Sequence, residues 1–382
     1  MSRRSTLRGA ACALVLLGAA SALVAAIAGG LLRACPAPVP PTLPGWLLAG
    51  AAQHAALMTG GFLGTLIGLE RAVALRHPLA FLPPLASALG AALMLSGRWE
   101  AGAAWLVLAS AGFVVVNARI VRRQPAAHTA LLLLGAIAWL AGCAFHALGR
   151  GAPVAWWFAF LALTIAAERL EMTRLTPRAD PARRRLWWVA AALLAGAAVG
   201  SCPSQAVATA GAGLFGAALL LLAAWLFVHD IARRTIRAEG LPRYMAACLL
   251  AGYAWLALAG IGWIGLAAGL PLRDLALHAF GLGFVGSMMM AHAPVILPAI
   301  AGLRLRFGPW FYLPVAVLHG SLVVRLGLGL DDPLERGIGA GLNALAVALF
   351  ALTVACAALA WRLGRRGQGA REGDGAQDVR AA

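Results

Sequence analysis

The feature that most constrains this chain is a series of long apolar runs that repeats along its whole length. A transmembrane α-helix needs about 20 predominantly apolar residues. Twelve runs approach or exceed that length, and the seventh is the shortest; they lie at residues 9–32, 46–69, 79–96, 101–118, 129–148, 153–169, 186–200, 205–228, 244–268, 275–300, 309–328 and 338–361. The pattern predicts an all-α, polytopic integral membrane bundle of about twelve transmembrane helices.

Composition supports membrane spans over a soluble fold. The chain has 382 residues, of which 62% are hydrophobic and 12% are charged, whereas a soluble domain is about one quarter charged. The first run is long for a signal-peptide core, so we interpret it as a retained helix. The polar, Gly-rich residues 364–382 are predicted to form a disordered cytoplasmic tail. Residues 1–363 then form a single transmembrane domain.

The positive charge is distributed as membrane topology requires. The formal net charge is +17 and all 31 basic residues are arginines. Counted by predicted loop, 25 arginines lie on one side and six on the other (Arg33, Arg98, Arg150, Arg273, Arg325 and Arg336). Cytoplasmic loops carry the excess of basic residues, so both termini are predicted to be cytoplasmic. We therefore expect a multi-pass protein of a bacterial inner membrane that contacts the lipid bilayer and no nucleic acid.

Two histidines are predicted to lie near the outer surface at similar depths. His54 is in the second run and His278 is in the tenth, and both runs cross from outside to inside. At about 1.5 Å of rise per residue, their depths differ by about one helical turn. Two imidazoles facing each other can bind a haem iron axially. The alternative interpretation is that each histidine forms a hydrogen bond between helices.

Glycines follow both histidines, and an arginine lies nearby. The glycine sets after each histidine allow a macrocycle, or simply another helix, to approach closely. Arg325 lies near the outer end of the eleventh run and is a candidate to bind haem propionates by charge-assisted hydrogen bonds. The alternative partners for Arg325 are the acids in the following loop, Asp331, Asp332 and Glu335.

A second candidate site lies deeper in the predicted membrane. His292 in the tenth run and His319 in the eleventh are at comparable depth and are candidate metal ligands, with copper as a candidate ion. The alternative is that both histidines link helices by hydrogen bonds. At the cytoplasmic boundary, Glu168 and Glu171 share a helix face; with Arg71 they form either an ion-pair network or the start of a proton path.

Two short motifs resemble those of the NnrS-like family of haem- and copper-containing membrane proteins. Residues 53–62 read Gln-His-Ala-Ala-Leu-Met-Thr-Gly-Gly-Phe and are similar to that family's early His-Ala-His-Glu-Met-x-x-Gly-Phe motif. His278-Ala279, Gly283, Gly286 and Met288 resemble its later motif. Ala56 and Leu57 stand where the family has His and Glu. The resemblance implies twelve spans, haem, copper and a role linked to nitric oxide.

Other functional classes are open from the sequence. A looser likeness to the catalytic subunits of haem-copper oxidases covers span number and the histidines of the second and tenth spans. Those subunits' His-His pair and His-Pro-x-x-x-Tyr motif are absent from the sequence, which argues against oxygen reduction, and no complete catalytic motif identifies an enzyme. A twelve-span secondary transporter and a structural membrane protein without cofactor are the alternatives to a haem protein in electron transfer or redox response. The sequence identifies no redox partner.

Overall fold

The computed structural model describes residues 3–35, 42–172 and 180–381, and throughout these residues the chain forms helices and no strand. The all-α prediction is confirmed. The α-helices are Arg3–Ala34, Gly45–Ala52, His54–Ala56, Thr65–Leu75, Leu82–Leu95, Trp99–Arg123, Ala127–Ala147, Pro153–Met172, Asp180–Gly200, Gln205–His229, Ala232–Thr235, Leu241–Ala267, Arg273–His278, Ser287–Ala301, Tyr312–Leu326 and Pro333–Ala381.

Ten helical segments in the described residues are long and apolar enough to cross a membrane, so the chain is a multi-pass membrane protein. They coincide with ten of the twelve predicted spans. The other two predicted spans are also helical. The span at 46–69 falls in residues 45–75, which are interrupted at Gln53. The span at 186–200 falls in Asp180–Gly200, where Arg183, Arg184 and Arg185 directly precede the apolar run.

The two spans that carry His54 and His278 share an unusual local geometry. A π-helical segment, Leu57–Gly64, begins three residues after His54. A second, Ala279–Gly286, begins directly after His278. Such wider turns are rare, and they are frequent at functional sites. We call residues 45–75 the His54 helix and Arg273–Pro298 the His278 helix.

Small residues allow the helices around these two to pack closely. Gly29 of the first helix meets the backbone of Gly50, so the first helix lies directly against the His54 helix. The most buried candidate span is Pro153–Met172. Its Phe158 stacks on Phe280 of the His278 helix, with ring centroids 4.0 Å apart. Pro153–Met172 is therefore a central helix on which the His278 helix rests.

The first and last helices both extend beyond their apolar runs. The first helix, Arg3–Ala34, begins well before its apolar run, and the last helix, Pro333–Ala381, includes the residues predicted to form the tail. The division of the chain at residue 363 stays a prediction. Outer and inner sides are named below according to the orientation that the arginines predict.

Candidate functional site

A cavity of about 490 Å³ lies between the first helix, the His54 helix, the central helix, the His278 helix and the last two spans. Small-molecule sites typically have volumes of about 300–1,000 Å³. Its outer end is lined by residues of the predicted outer loops, including Arg33, Pro271 and Arg336. Its walls are apolar and extend inward to Phe62 and Met290. We call this space the outer cavity.

His54 lines the outer cavity in a fixed orientation. Its Nδ1 lies 2.7 Å from the carbonyl oxygen of Ala26 in the first helix. A carbonyl only accepts hydrogen bonds, so Nδ1 donates and Nε2 carries the lone pair. Gly30 permits this position, because a Cβ at Gly30 would lie 2.8 Å from the imidazole Cε1. The first helix therefore sets both the tautomer and the position of His54.

His278 also lines the outer cavity and takes the same tautomer for a different reason. Its Nδ1 lies 2.8 Å from Oδ1 of Asp274, one helical turn earlier. Arg325 donates to both oxygens of that carboxylate, at 2.8 and 2.9 Å, which keeps the carboxylate ionised and accepting. His278 Nδ1 therefore donates to Asp274, and its Nε2 is the acceptor. Arg325 places Nη2 3.1 Å from this Nε2 and 3.2 Å from Nδ1.

The two imidazoles are neighbours in the outer cavity. Their ring centroids are 6.4 Å apart and the ring planes make an angle of 42°. Two metal–nitrogen bonds of about 2 Å and two ring radii of about 1.1 Å together span about 6 Å. The separation of the two rings is therefore close to the distance that two imidazoles bound to one metal ion would require. His54 and His278 both direct Nδ1 to a carbonyl or carboxylate oxygen, which is the arrangement usual for histidine ligands of metals.

The mouth of the cavity is strongly basic. Arg33, Arg273, Arg325 and Arg336 line the cavity, and Asp274 is the acid among its lining residues. Arg336 donates to the carbonyl oxygens of Gly329 and Leu330 at 2.9 and 2.8 Å, which fixes it at the rim. Arginines next to low-dielectric walls create a field that attracts anions. The cavity is therefore suited to a ligand with an apolar body and anionic groups at its outer end.

The glycines of the two π-helical segments either pack against a neighbouring helix or line the outer cavity. Added Cβ atoms at Gly60, Gly61 and Gly64 would meet Leu106, Ala91 and Trp139 of neighbouring helices. These glycines therefore serve helix packing. Gly281 has no neighbouring atom within 4 Å of a built Cβ and lines the outer cavity, so it leaves room for a ligand.

His292 and His319 have different hydrogen-bond partners in the structure. His292 Nδ1 lies 2.6 Å from the carbonyl oxygen of Met288, and its Nε2 lies 2.7 Å from Nη2 of Arg169. Both ring nitrogens of His292 are thus engaged. His319 Nδ1 instead accepts from the indole N–H of Trp255 at 2.8 Å. Within the described ranges, no group of three or more His, Cys, Asp or Glu side chains is placed to hold a metal ion.

Buried charges link the helices near the cytoplasmic boundary. Arg71 donates to Glu168 at 2.8 Å, which is the predicted network pairing. Arg169, beside Glu168, is buried and lies 3.9 Å from the buried carboxylate of Asp230. Glu171 lies 4.0 Å from His128. These contacts tie the central helix to the His54 helix, to the helix Ala127–Ala147 and to the start of the loop after His229.

Sequence reasoning missed Asp274 and assigned a different acid to Arg325. The partner of Arg325 is Asp274 of the His278 helix, whereas Asp331, Asp332 and Glu335 had been the expected acids. Asp274 and His278 are spaced i,i+4 on one helix face, and that spacing could have identified Asp274. Arg33 likewise lines the cavity, although its position in the sequence suggested only a loop charge.

A family model described as "Domain of unknown function (DUF8744)" matches residues 12–359. The chain belongs to this family. The match extends from the first helix into the last and includes every residue of the outer cavity. No curated protein and no solved structure matches the chain.

Proposed function

We propose that this protein binds a haem in the outer cavity, with His54 and His278 as axial ligands and Arg325 near the haem carboxylates. We further propose that it serves electron transfer or a nitric oxide or redox response in a bacterial inner membrane. The observation that carries the proposal is the pair of neighbouring imidazoles, with ring centroids 6.4 Å apart, each of which has Nδ1 held by an acceptor so that Nε2 carries the lone pair that could bind a metal. The resemblance to the NnrS-like motifs agrees with it.

The residues of the cavity have separable tasks. His54 and His278 present lone pairs from two helices that the first helix and Asp274 hold in place. The apolar walls, including Phe62 and Phe158, exclude water from the faces of a planar ligand. Two axial histidines give a bound haem the coordination typical of one-electron transfer.

Copper at His292 and His319 does not fit the residues as they are arranged. Nε2 of His292 accepts from Arg169, and Arg169 cannot give up its charge. An ion there would have to displace a buried guanidinium. We therefore propose no copper centre at this position, and we assign His292 to the linkage between the His278 helix and the central helix.

The experiment that tests the proposal is an absorption spectrum with metal analysis of the purified full chain, with and without haem supplied during expression. We expect a bis-histidine haem spectrum. His54→Ala and His278→Ala should each abolish that spectrum and weaken haem binding by at least about tenfold. His146→Ala is the matched control, because His146 is a membrane histidine that contacts Trp157 and does not line the cavity. A wild-type protein without haem absorbance after haem supply would contradict the proposal.

A second candidate is a carrier of anionic amphiphiles. It is favoured by the basic mouth and by the two non-α segments, Leu57–Gly64 and Ala279–Gly286, that flank the cavity; transporter sites are often built from interrupted helices. Thermal stabilisation by an anionic amphiphile in a protein with no chromophore would favour the carrier. A chromophore lost in both histidine variants would favour the haem protein.

A further inference from the structure

We propose that Arg336 is the specificity-determining residue of the outer cavity: its Nη1 and Nη2 bind a carboxylate on the edge of the ligand. This inference rests on the proposed haem site and deepens it, because it assigns the recognition of the ligand's anionic groups to one residue. Arg325 then has a different task, which is to hold Asp274 beside His278.

The charge of Arg325 is already balanced within the protein. Its Nε and Nη2 donate to the two oxygens of Asp274 at 2.8 and 2.9 Å. The same Nη2 lies at nearly equal distances, 3.1 and 3.2 Å, from the two ring nitrogens of His278, which places it over the face of the ring. Nη1 lies 3.4 Å from Oδ1 of Asn343. A ligand carboxylate bound here would stand beside the carboxylate of Asp274, and two like charges side by side are unfavourable.

The charge of Arg336 has no such partner. Nε and Nη2 of Arg336 donate to the carbonyl oxygens of Gly329 and Leu330 at 2.9 and 2.8 Å, and carbonyl groups carry no net charge. Within the part of the chain that the structure describes, no carboxylate lies within 4 Å of this guanidinium. An anionic group on the ligand therefore finds an unbalanced positive charge at the mouth of the cavity.

The two carbonyl contacts also orient the guanidinium of Arg336. A guanidinium has five N–H donors; the carbonyls take the Nε donor and one Nη2 donor, which leaves both Nη1 donors and the second Nη2 donor. Nη1 and Nη2 form a planar edge that matches a carboxylate with two parallel hydrogen bonds. The backbone of Arg336 packs on Gly329, where an added Cβ would lie 2.7 Å from the arginine N and Cα. A donor edge fixed in this way loses little freedom on binding.

The remaining two arginines of the mouth are held less firmly. Arg33 donates one hydrogen bond of 3.2 Å to a backbone carbonyl, and a single contact does not fix the plane of a guanidinium. Arg273 is exposed. Arg336 lines the same cavity as His54 and His278. The ligand's carboxylate therefore lies at the mouth, and its apolar body lies against the apolar walls.

Metal-free protoporphyrin IX and its dimethyl ester test the assignment without any iron to ligate. They differ only in their carboxylates, and absorbance titration of the full chain in detergent gives both affinities. The wild type should bind the diacid at least about tenfold more tightly than the ester. Arg336→Gln should lose most of this preference. Arg336→Lys keeps the charge without the planar donor edge and should retain only part of the preference.

Two controls separate a specific contact from the general field of the mouth. Arg273→Gln removes the same charge from the same mouth and should keep the diacid preference. The double variant Asp274→Asn, Arg325→Gln removes a pair with no net charge and should also keep it. An equal loss of preference in Arg336→Gln and Arg273→Gln would overturn the assignment. A loss in the double variant that Arg336→Gln does not show would assign the contact to Arg325 instead.

Iron(III) protoporphyrin IX distinguishes this inference from the haem proposal. If it gives no bis-histidine spectrum while the metal-free diacid is preferred through Arg336, the haem proposal fails and the assignment of Arg336 holds. If the spectrum forms and Arg336→Gln keeps the diacid preference, the assignment fails alone. If no porphyrin binds, dodecanoate and the neutral dodecan-1-ol replace them. Greater thermal stabilisation by dodecanoate that is lost in Arg336→Gln would support the assignment, and equal stabilisation by both would overturn it.

Discussion

At the residue scale, the molecule is defined by polar atoms held in an apolar surrounding. His54, His278 and His292 each have Nδ1 against a carbonyl or carboxylate oxygen, so each has a definite tautomer. The surroundings of the other ring nitrogen, Nε2, differ among the three histidines. Nε2 of His54 and His278 belongs to the outer cavity, whereas Nε2 of His292 accepts from Arg169. The difference lies in the neighbouring helix, and no property of the histidine itself decides it.

The buried pair of Arg169 and Asp230 gives a prediction at this scale. Arg169→Met should destabilise the protein by about 3–5 kcal/mol, because it leaves the carboxylate of Asp230 buried without its arginine. The double variant Arg169→Met, Asp230→Asn should be clearly more stable than the single variant. Thermal unfolding in detergent measures both.

Arg123→Met is the control for this prediction, since Arg123 is exposed at the end of its helix and its replacement should change stability little. A double variant no more stable than Arg169→Met would show that the pair is not energetically coupled.

At the element scale, glycines decide where helices meet and where space is left. The π-helical segments Leu57–Gly64 and Ala279–Gly286 contain glycines of both kinds. Gly64 faces the indole of Trp139, which is itself stacked on Phe160 with centroids 5.2 Å apart. Gly281 faces the cavity. Glycine spacing in the sequence cannot separate these roles, because both place small residues on one helix face.

Gly64→Ala and Gly281→Ala form a matched pair that tests this division. At Gly64 the added methyl overlaps the rigid indole, so we expect a loss of about 1–3 kcal/mol of stability. At Gly281 a built Cβ meets no atom within 4 Å, so stability should be unchanged or slightly higher. Thermal unfolding of the ligand-free proteins measures the difference. Equal destabilisation by both substitutions would contradict the two roles.

At the scale of the whole molecule, arginines on the predicted outer side are concentrated at the mouth of the outer cavity. The arginines that line the outer cavity are among the six on the less basic side of the predicted topology. A basic mouth on that side is not explained by the positive-inside tendency. A basic mouth is what the proposed site for an anionic ligand requires.

The predicted orientation can be tested at the segment Asp180–Gly200, which is not among the ten candidate spans. A membrane-impermeant maleimide added to intact cells should label Cys202, which is exposed just after this segment. In a Glu239→Cys variant, the new cysteine should react only after the membrane is permeabilised. Mass spectrometry of the labelled peptides distinguishes the sites. Protection of Cys202 in intact cells would show that the segment does not cross or that the orientation is reversed.

The sequence by itself determined the class of fold, because bilayer thickness fixes how long an apolar helix must be and each run reports that length directly. It also placed His54 and His278 at similar depth, since rise per residue along a straight helix is constant. Only the tertiary structure decided which side chains meet. It paired Arg325 with Asp274, His292 with Arg169 and His319 with Trp255, and it opened a cavity at Gly281. Contacts between distant spans depend on how each helix is rotated, and the apolar pattern of a membrane helix does not encode that rotation.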